Sequence, residues 1–272
     1  MGLGGLLMWT SLINEMALKH NKKVCILSGR HIIKDPILKN NPNVSFELTS
    51  DVLTLNIGMK ICPERITQKI WNVSQHTIQS RCEFFGYNNP QIKCFLYFTP
   101  REIKYIRKVA SELPKHFIII EPHAKTSWCA QKQYPLDKWQ NIIDSIYEYI
   151  PVVQMSLPGK KILNNVINIS DKIKSFRHAA LILKWSKLFI STEGGLMHAC
   201  KLHNKKCIII YPPLFNPVLT KYDNVIDIWV KSDTHYNCFK ERICHDCIKL
   251  MKQHDENIII NEIKNVLKLN NR

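Results

Sequence analysis

The stretch Leu188-Phe-Ile-Ser-Thr-Glu-Gly-Gly-Leu-Met-His-Ala-Cys200, followed by Cys207-Ile-Ile-Ile-Tyr-Pro-Pro213, decides the fold. It reads as an apolar strand ending at a polar Ser-Thr-Glu step, two glycines, a helix opening at Leu196, and a second buried strand that stops at prolines. That order is a βαβ unit with a ligand-binding turn at the carboxyl end of its first strand. Gly194 and Gly195 lack the Cβ atoms that would hold a ligand away, and the unpaired N–H groups of the following helix favour an anion. Glu193 can accept hydrogen bonds from sugar hydroxyls, and His198, on the first helical turn, can face the same ligand. Glycine pairs after strands also serve close helix packing; Glu193 and His198 in one short loop favour a phosphorylated sugar or nucleotide.

Working outward, the C-terminal half alternates regularly. Strand His116 to Glu121, helix Leu136 to Tyr149, strands Pro151 to Ser156 and Val166 to Ile169, and helix Phe176 to Trp185 lead into the central unit. Strands separated by single helices predict a parallel sheet covered on both faces. Asn257 to Leu269 carries apolar residues at helical spacing and closes the chain as an amphipathic helix. Pro114 marks the boundary between domains 1–113 and 114–272. In the first of these, Met1-Gly-Leu-Gly-Gly-Leu-Leu-Met8 reads as a glycine turn entering a helix that runs to about His20. Strands follow at Lys23 to Ser28, Val44 to Leu48 and Asp51 to Ile57, then helices at Gln75 to Phe85 and from Thr99-Pro100 to Leu113. A strand is expected before such a glycine turn, yet the sequence begins at the turn, so this domain is expected to lack its usual first strand.

A chain of 272 residues with 45% hydrophobic and 22% charged residues has the composition of a globular protein, which excludes disordered and fibrous classes. Lys+Arg 38 against Asp+Glu 22 gives +16, a balance that either favours an anionic partner or reflects a lysine- and asparagine-rich composition. No run approaches the roughly 18 apolar residues of a spanning helix, and the opening residues lack the basic flank of a signal peptide, so a cytoplasmic protein is expected. The ten cysteines are then read mostly as small buried hydrophobes. Cys238-x5-Cys244-x2-Cys247, flanked by His235 and His245, is the exception, because a C-x-x-C pair with a third thiol can clamp structural zinc or iron.

A third segment, Glu121-Pro-His-Ala-Lys-Thr-Ser127 with Gln131-Lys-Gln-Tyr-Pro-Leu-Asp-Lys-Trp139, follows a strand and precedes a helix. Lys125 and Lys132 can neutralise a diphosphate to which Thr126 and Ser127 donate hydrogen bonds. With the glycine turns at Gly2 to Gly5 and Gly194 to Gly195, it completes a set in which one ligand can touch both domains.

These three segments resemble, in order and spacing, successive blocks of the family-9 glycosyltransferases, the lipopolysaccharide heptosyltransferases. Those blocks run G-x-G-D, then a strand ending in P-G/H-A with a lysine before W-P, then D-S/T-G-x-x-H. The resemblance implies a GT-B architecture: two Rossmann-like doubly wound domains, the N-terminal one acceptor-side and the C-terminal one holding a nucleotide-sugar donor. It implies that Lys132 and Thr126 contact the donor's phosphates, that Glu193, Gly194 and Gly195 hold the donor, and that His198 completes the loop. Gly4 and Gly5 fall in the acceptor or phosphate loop. It further implies inverting transfer, of heptose from ADP-heptose to an anionic lipopolysaccharide-core-type glycolipid, with no metal needed for chemistry and with peripheral contact at the inner membrane. No nucleic-acid motif is present. The family's catalytic aspartate matches Gly5, which cannot accept a proton. Asp51 is the substitute weighed here, and a catalytically impaired or truncated donor-binding protein is the alternative reading.

Overall fold

The computed structural model describes residues 2–57, 75–127, 129–232 and 243–269. They fall into two compact units, Met1–Ile103 with Val218–Tyr222, and Lys104–Pro217 with Asp223–Arg272.

The first unit opens with helix α1, Leu3–His20, capped by Gly2 in an extended conformation and stopped by Asn21 at a left-handed φ of 51°. Gly4 and Gly5, expected in a turn, lie inside the first helical turn. Burial of Leu6, Leu7, Met8, Trp9, Leu12 and Ile13 supplies the packing that carries the helix back through two poor helix formers. Strands β1 (Val24–Ser28), β2 (His31–Ile32), β3 (Val44–Ser45) and β4 (Leu53–Asn56) form the sheet. β4 lies parallel along one edge of β1 from Val24 to Leu27, so parallel β3 and antiparallel β2 share the other edge. The β1–β2 hairpin is a feature the strand pattern did not show. Gly29, at φ +63°, makes its turn, and Asn56 at the end of β4 grips that turn twice, accepting from the Gly29 N–H at 3.2 Å and donating to its carbonyl at 2.7 Å. Helix α2 is Thr77–Phe84; helix α3, Pro100–Ser111, starts in the first unit and passes into the second after Ile103. The Thr-Pro start predicted for α3 is present as a capping box: Glu102 accepts from the Thr99 N–H at 2.7 Å, and Thr99 Oγ1 accepts from the Glu102 N–H at 3.1 Å.

The second unit contains β5 (Ile118–Glu121), α4 (Leu136–Asp144), β6 (Val152–Gln154), β7 (Ile167–Asn168), α5 (Phe176–Ile182), β8 (Leu188–Thr192), α6 (Gly195–Leu202), β9 (Cys207–Tyr211), β10 (Val225–Trp229), α7 (His245–Gln253) and α8 (Asn257–Leu267). Its six strands are all parallel, in the order β10-β9-β8-β5-β6-β7. β8 and β9 are buried at every position, which explains their unbroken apolar runs. On one face, Ile118, Ile120, Ile190, Ile208 and Ile210 pack against Trp139, Ile142 and Ile143 of α4, Met251 of α7 and Ile259 and Ile263 of α8. Each such fully buried side chain contributes about 1.5–3 kcal/mol relative to exposure. Helices α5 and α6 pack on each other. From β5 the chain steps outward through β6 and β7, then returns to the other edge of β5 as β8 and continues to β9 and β10. The direction of winding therefore reverses between β5 and β8, and in such sheets the crevice beyond the carboxyl ends at that point is where ligands bind.

Candidate functional site at the winding reversal

Three turns meet the carboxyl ends of β5, β8 and β9. After β5, the loop is tied to the chain ahead of α4 by Gln133, whose side chain accepts from the Ala124 N–H at 3.0 Å and donates to the Pro122 carbonyl at 2.8 Å. A single 3-10 turn, Ala130–Lys132, then aims Lys132 back over the sheet, and α7 packs against that turn. After β8, the Glu193 N–H donates to the Ile210 carbonyl at 3.0 Å, which extends the ladder to β9 by one residue.

Lys132 and Glu193, 61 residues apart, form a direct ion pair, with side-chain exposures of only 13% and 8%. The sequence assigned the lysine to a diphosphate and the glutamate to hydroxyls, and did not foresee that they touch. The Lys132 ammonium also stands 4.1 Å from the centre of the Phe215 ring, in the turn after β9. A carboxylate on one side and an aromatic face on another hold the cation in place. Phe215 was missed; its only sequence signal is an aromatic residue soon after the prolines that stop β9.

Helix α6 starts at Gly195 with Gly194 as its cap, no side-chain cap and no acid in its first turn. Its first N–H groups and positive end therefore have no side-chain cap and no first-turn acid, an arrangement able to receive an anion. Gly194 has an extended backbone, φ −178°, that any residue can adopt, and the nearest atom to an added Cβ would be the Thr192 carbonyl oxygen at 3.7 Å. The backbone conformation there does not itself require a glycine. His198, the fourth residue of α6, is 2% exposed. Thr126 and Lys125 are exposed on the loop after β5.

The remaining candidates lie elsewhere. Gly4 and Gly5 belong to the first unit, where the Gly5 carbonyl accepts from the Arg81 guanidinium at 3.1 Å. Asp51 precedes β4, at the amino end of a parallel strand; its side chain is 92% exposed and sits 3.7 Å from Lys22. Cys244 caps α7 and Cys247 lies one turn in, both buried and neither in a disulfide among the described residues, while Cys238 and His235 lie outside the described residues. Among the described residues no group of three or more His, Cys, Asp or Glu side chains is placed to hold a metal, and no helix is long and apolar enough to cross a membrane.

No family model matches the chain, and neither does any curated protein. Solved structures do. A family 9 glycosyltransferase from Veillonella parvula aligns over 98% of this chain and 95% of its own, with a TM-score of 0.69 at 12% identity. The ADP-heptose lipopolysaccharide heptosyltransferase II of E. coli aligns over 98% and 96%, at 0.61 and 12%. The iron-containing dodecameric glycosyltransferase TibC of enterotoxigenic E. coli aligns over 98% and 74%, at 0.69 and 14%. The fold is GT-B. In that fold the β5–β8 crevice belongs to the C-terminal of the two Rossmann-like regions.

Proposed function

We propose that this chain is an inverting glycosyltransferase that binds a nucleotide sugar, ADP-heptose first among candidates, in the β5–β8 crevice of its second unit. The observation that carries the reading is the buried Lys132–Glu193 pair set beside the uncapped start of α6. A diphosphate at that helix end meets the N–H groups of the first turn, and the Lys132 ammonium shifts its charge from Glu193 toward the phosphates as the leaving diphosphate develops. Glu193, released from part of that pairing, accepts from ligand hydroxyls. Thr126 lies on the loop that reaches the same phosphates, and His198 supports the turn from beneath. One aligned structure, TibC, is a complex with ADP-D-beta-D-heptose. The acceptor is an anionic glycolipid of the lipopolysaccharide-core type, met at the inner face of the membrane, and the +16 charge suits both. Cys244 and Cys247 offer two thiols to a structural zinc or iron, outside the chemistry.

A second reading, a protein that binds the donor but transfers poorly or not at all, is favoured by α1. Its first turn has no acid, and Gly5 stands where a base is expected. ADP-heptose and ADP are expected to raise the melting temperature by mass action; a folded sample with no nucleotide-dependent shift overturns both readings. A transfer assay on the parent and on Gly5→Asp separates them. Transfer by the parent supports the enzyme, and activity gained only in the variant, by about 10²–10⁴-fold, supports the impaired protein.

A further inference from the structure

Glu121 is the last residue of β5, at the winding reversal itself, and lies in register with Ser191 of β8. Ile118 and Ile120 face the core with α4 and α8, so strand alternation turns Glu121 to the opposite face, where Cys200 of α6 feels its charge. Among the described residues its carboxyl has neither a hydrogen-bond partner nor a cation. Burial alone pushes it up to about 8, so it is uncharged at neutral pH. The titratable groups around it leave it so. Cys200 on α6 is itself raised well above the usual thiol value by burial and by its contact with Cys207 of β9. Lys132 and Glu193, on the loops, are spent on each other. Its strand neighbour β6 brings Gln154, which donates to Ser156 and to the Lys161 carbonyl.

A half-buried acid at the carboxyl end of β5, with no partner among the described residues, is not explained by packing. We propose that Glu121 is a specificity-determining residue of the donor site, an uncharged acid whose O–H donates a hydrogen bond to a phosphate oxygen of the ligand held at the start of α6. This rests on the reading of the crevice as a nucleotide-sugar site. An ionised Glu121 would face that phosphate with two acceptors and a negative charge, so affinity must fall when it loses its proton.

The test is calorimetric titration of ADP-heptose, whose diphosphate does not change charge between pH 7 and 9.5, into the full chain and into Glu121→Gln and Glu121→Leu. Affinity of the parent is expected to fall about tenfold as pH rises from 7 to 9.5, the fall centred near 8. Glu121→Gln keeps a donor but cannot titrate, so its affinity stays level over that range. Glu121→Leu has no donor and binds about fivefold or more weakly than the parent at pH 7, again level. Melting curves of both variants confirm the fold. Binding by the parent with no fall across this range, or a fall that persists in Glu121→Gln, overturns the role of Glu121 alone. Absence of binding by the parent at every pH overturns that role together with the nucleotide-sugar reading.

Discussion

The two sheets finish their strands in different ways. In the first unit the carboxyl end of β1 closes on itself: a Gly29 turn folds the chain back into β2, and Asn56 from the end of β4 bonds both the N–H and the carbonyl of Gly29. In the second unit, among the described residues, the carboxyl ends of β5 and β8 carry an acid with no partner, a lysine paired with Glu193 and a helix with no side-chain cap. Each sheet also has a glycine at this position in the architecture, and only one is demanded by the backbone, Gly29 at φ +63° against Gly194 at −178°. A glycine that the backbone needs marks a turn, and one that it does not need leaves room that, in the proposed function, a ligand fills.

Five substitutions sharpen or break this contrast. The largest effect is expected at the ion pair. Lys132→Met strands a buried Glu193 carboxylate and should cost about 3–5 kcal/mol in denaturant unfolding, whereas Lys132→Met with Glu193→Met should cost much less than either alone. Additive losses would mean that the two charges do not hold each other. A smaller effect belongs to Lys138–Glu256, a pair with 17% exposure on each side that ties α4 to α8. Hydrogen bonds from Lys138 and then Asn141 hold Glu256 down to about 2. A depressed carboxyl contributes stability that is complete above its unfolded value and is lost as pH falls toward the folded one. The parent should therefore lose about 1–3 kcal/mol between pH 4.5 and 2, and Lys138→Met, left with the Asn141 bond, should lose clearly less, read from unfolding midpoints against pH. Gly29→Ala should follow at about 1–2 kcal/mol, since it puts a Cβ into a left-handed turn. Gly194→Ala should shift unfolding by no more than about 0.5 kcal/mol. A Gly194 variant as damaging as Gly29→Ala would place the demand on the fold and remove the argument for a ligand.

Much of the second unit was legible because its strands are buried on both faces, so they read as Ile-Ile-Ile runs punctuated by Glu121-Pro and Tyr211-Pro. Local grammar also served α3, where Thr99, Pro100 and Glu102 spell a helix start that the hydrogen bonds reproduce. Edges were harder. β10 went unread because Asp227 breaks its apolar run and the strand leans on one neighbour only. α7 went unread because little more than Cys247 and Met251, one turn apart, is buried along it, and its cysteines drew attention as metal donors instead. The Lys132–Glu193 contact depends on the β5–β8 pairing, which no local pattern encodes. Glu121 was in view as the end of a strand, but its lack of a partner is a property of the folded surroundings.

The central claim is that a nucleotide sugar lodges against the bare backbone between β8 and α6. Calorimetric titration of ADP-heptose into the parent and into Gly194→Val tests it most directly, because an extended residue at that position accepts a β-branched side chain. The account predicts that the parent binds and that the valine variant, melting within a few degrees of the parent, binds about tenfold or more weakly. Equal affinity in the two proteins, or a folded parent that takes up no nucleotide sugar, would contradict it.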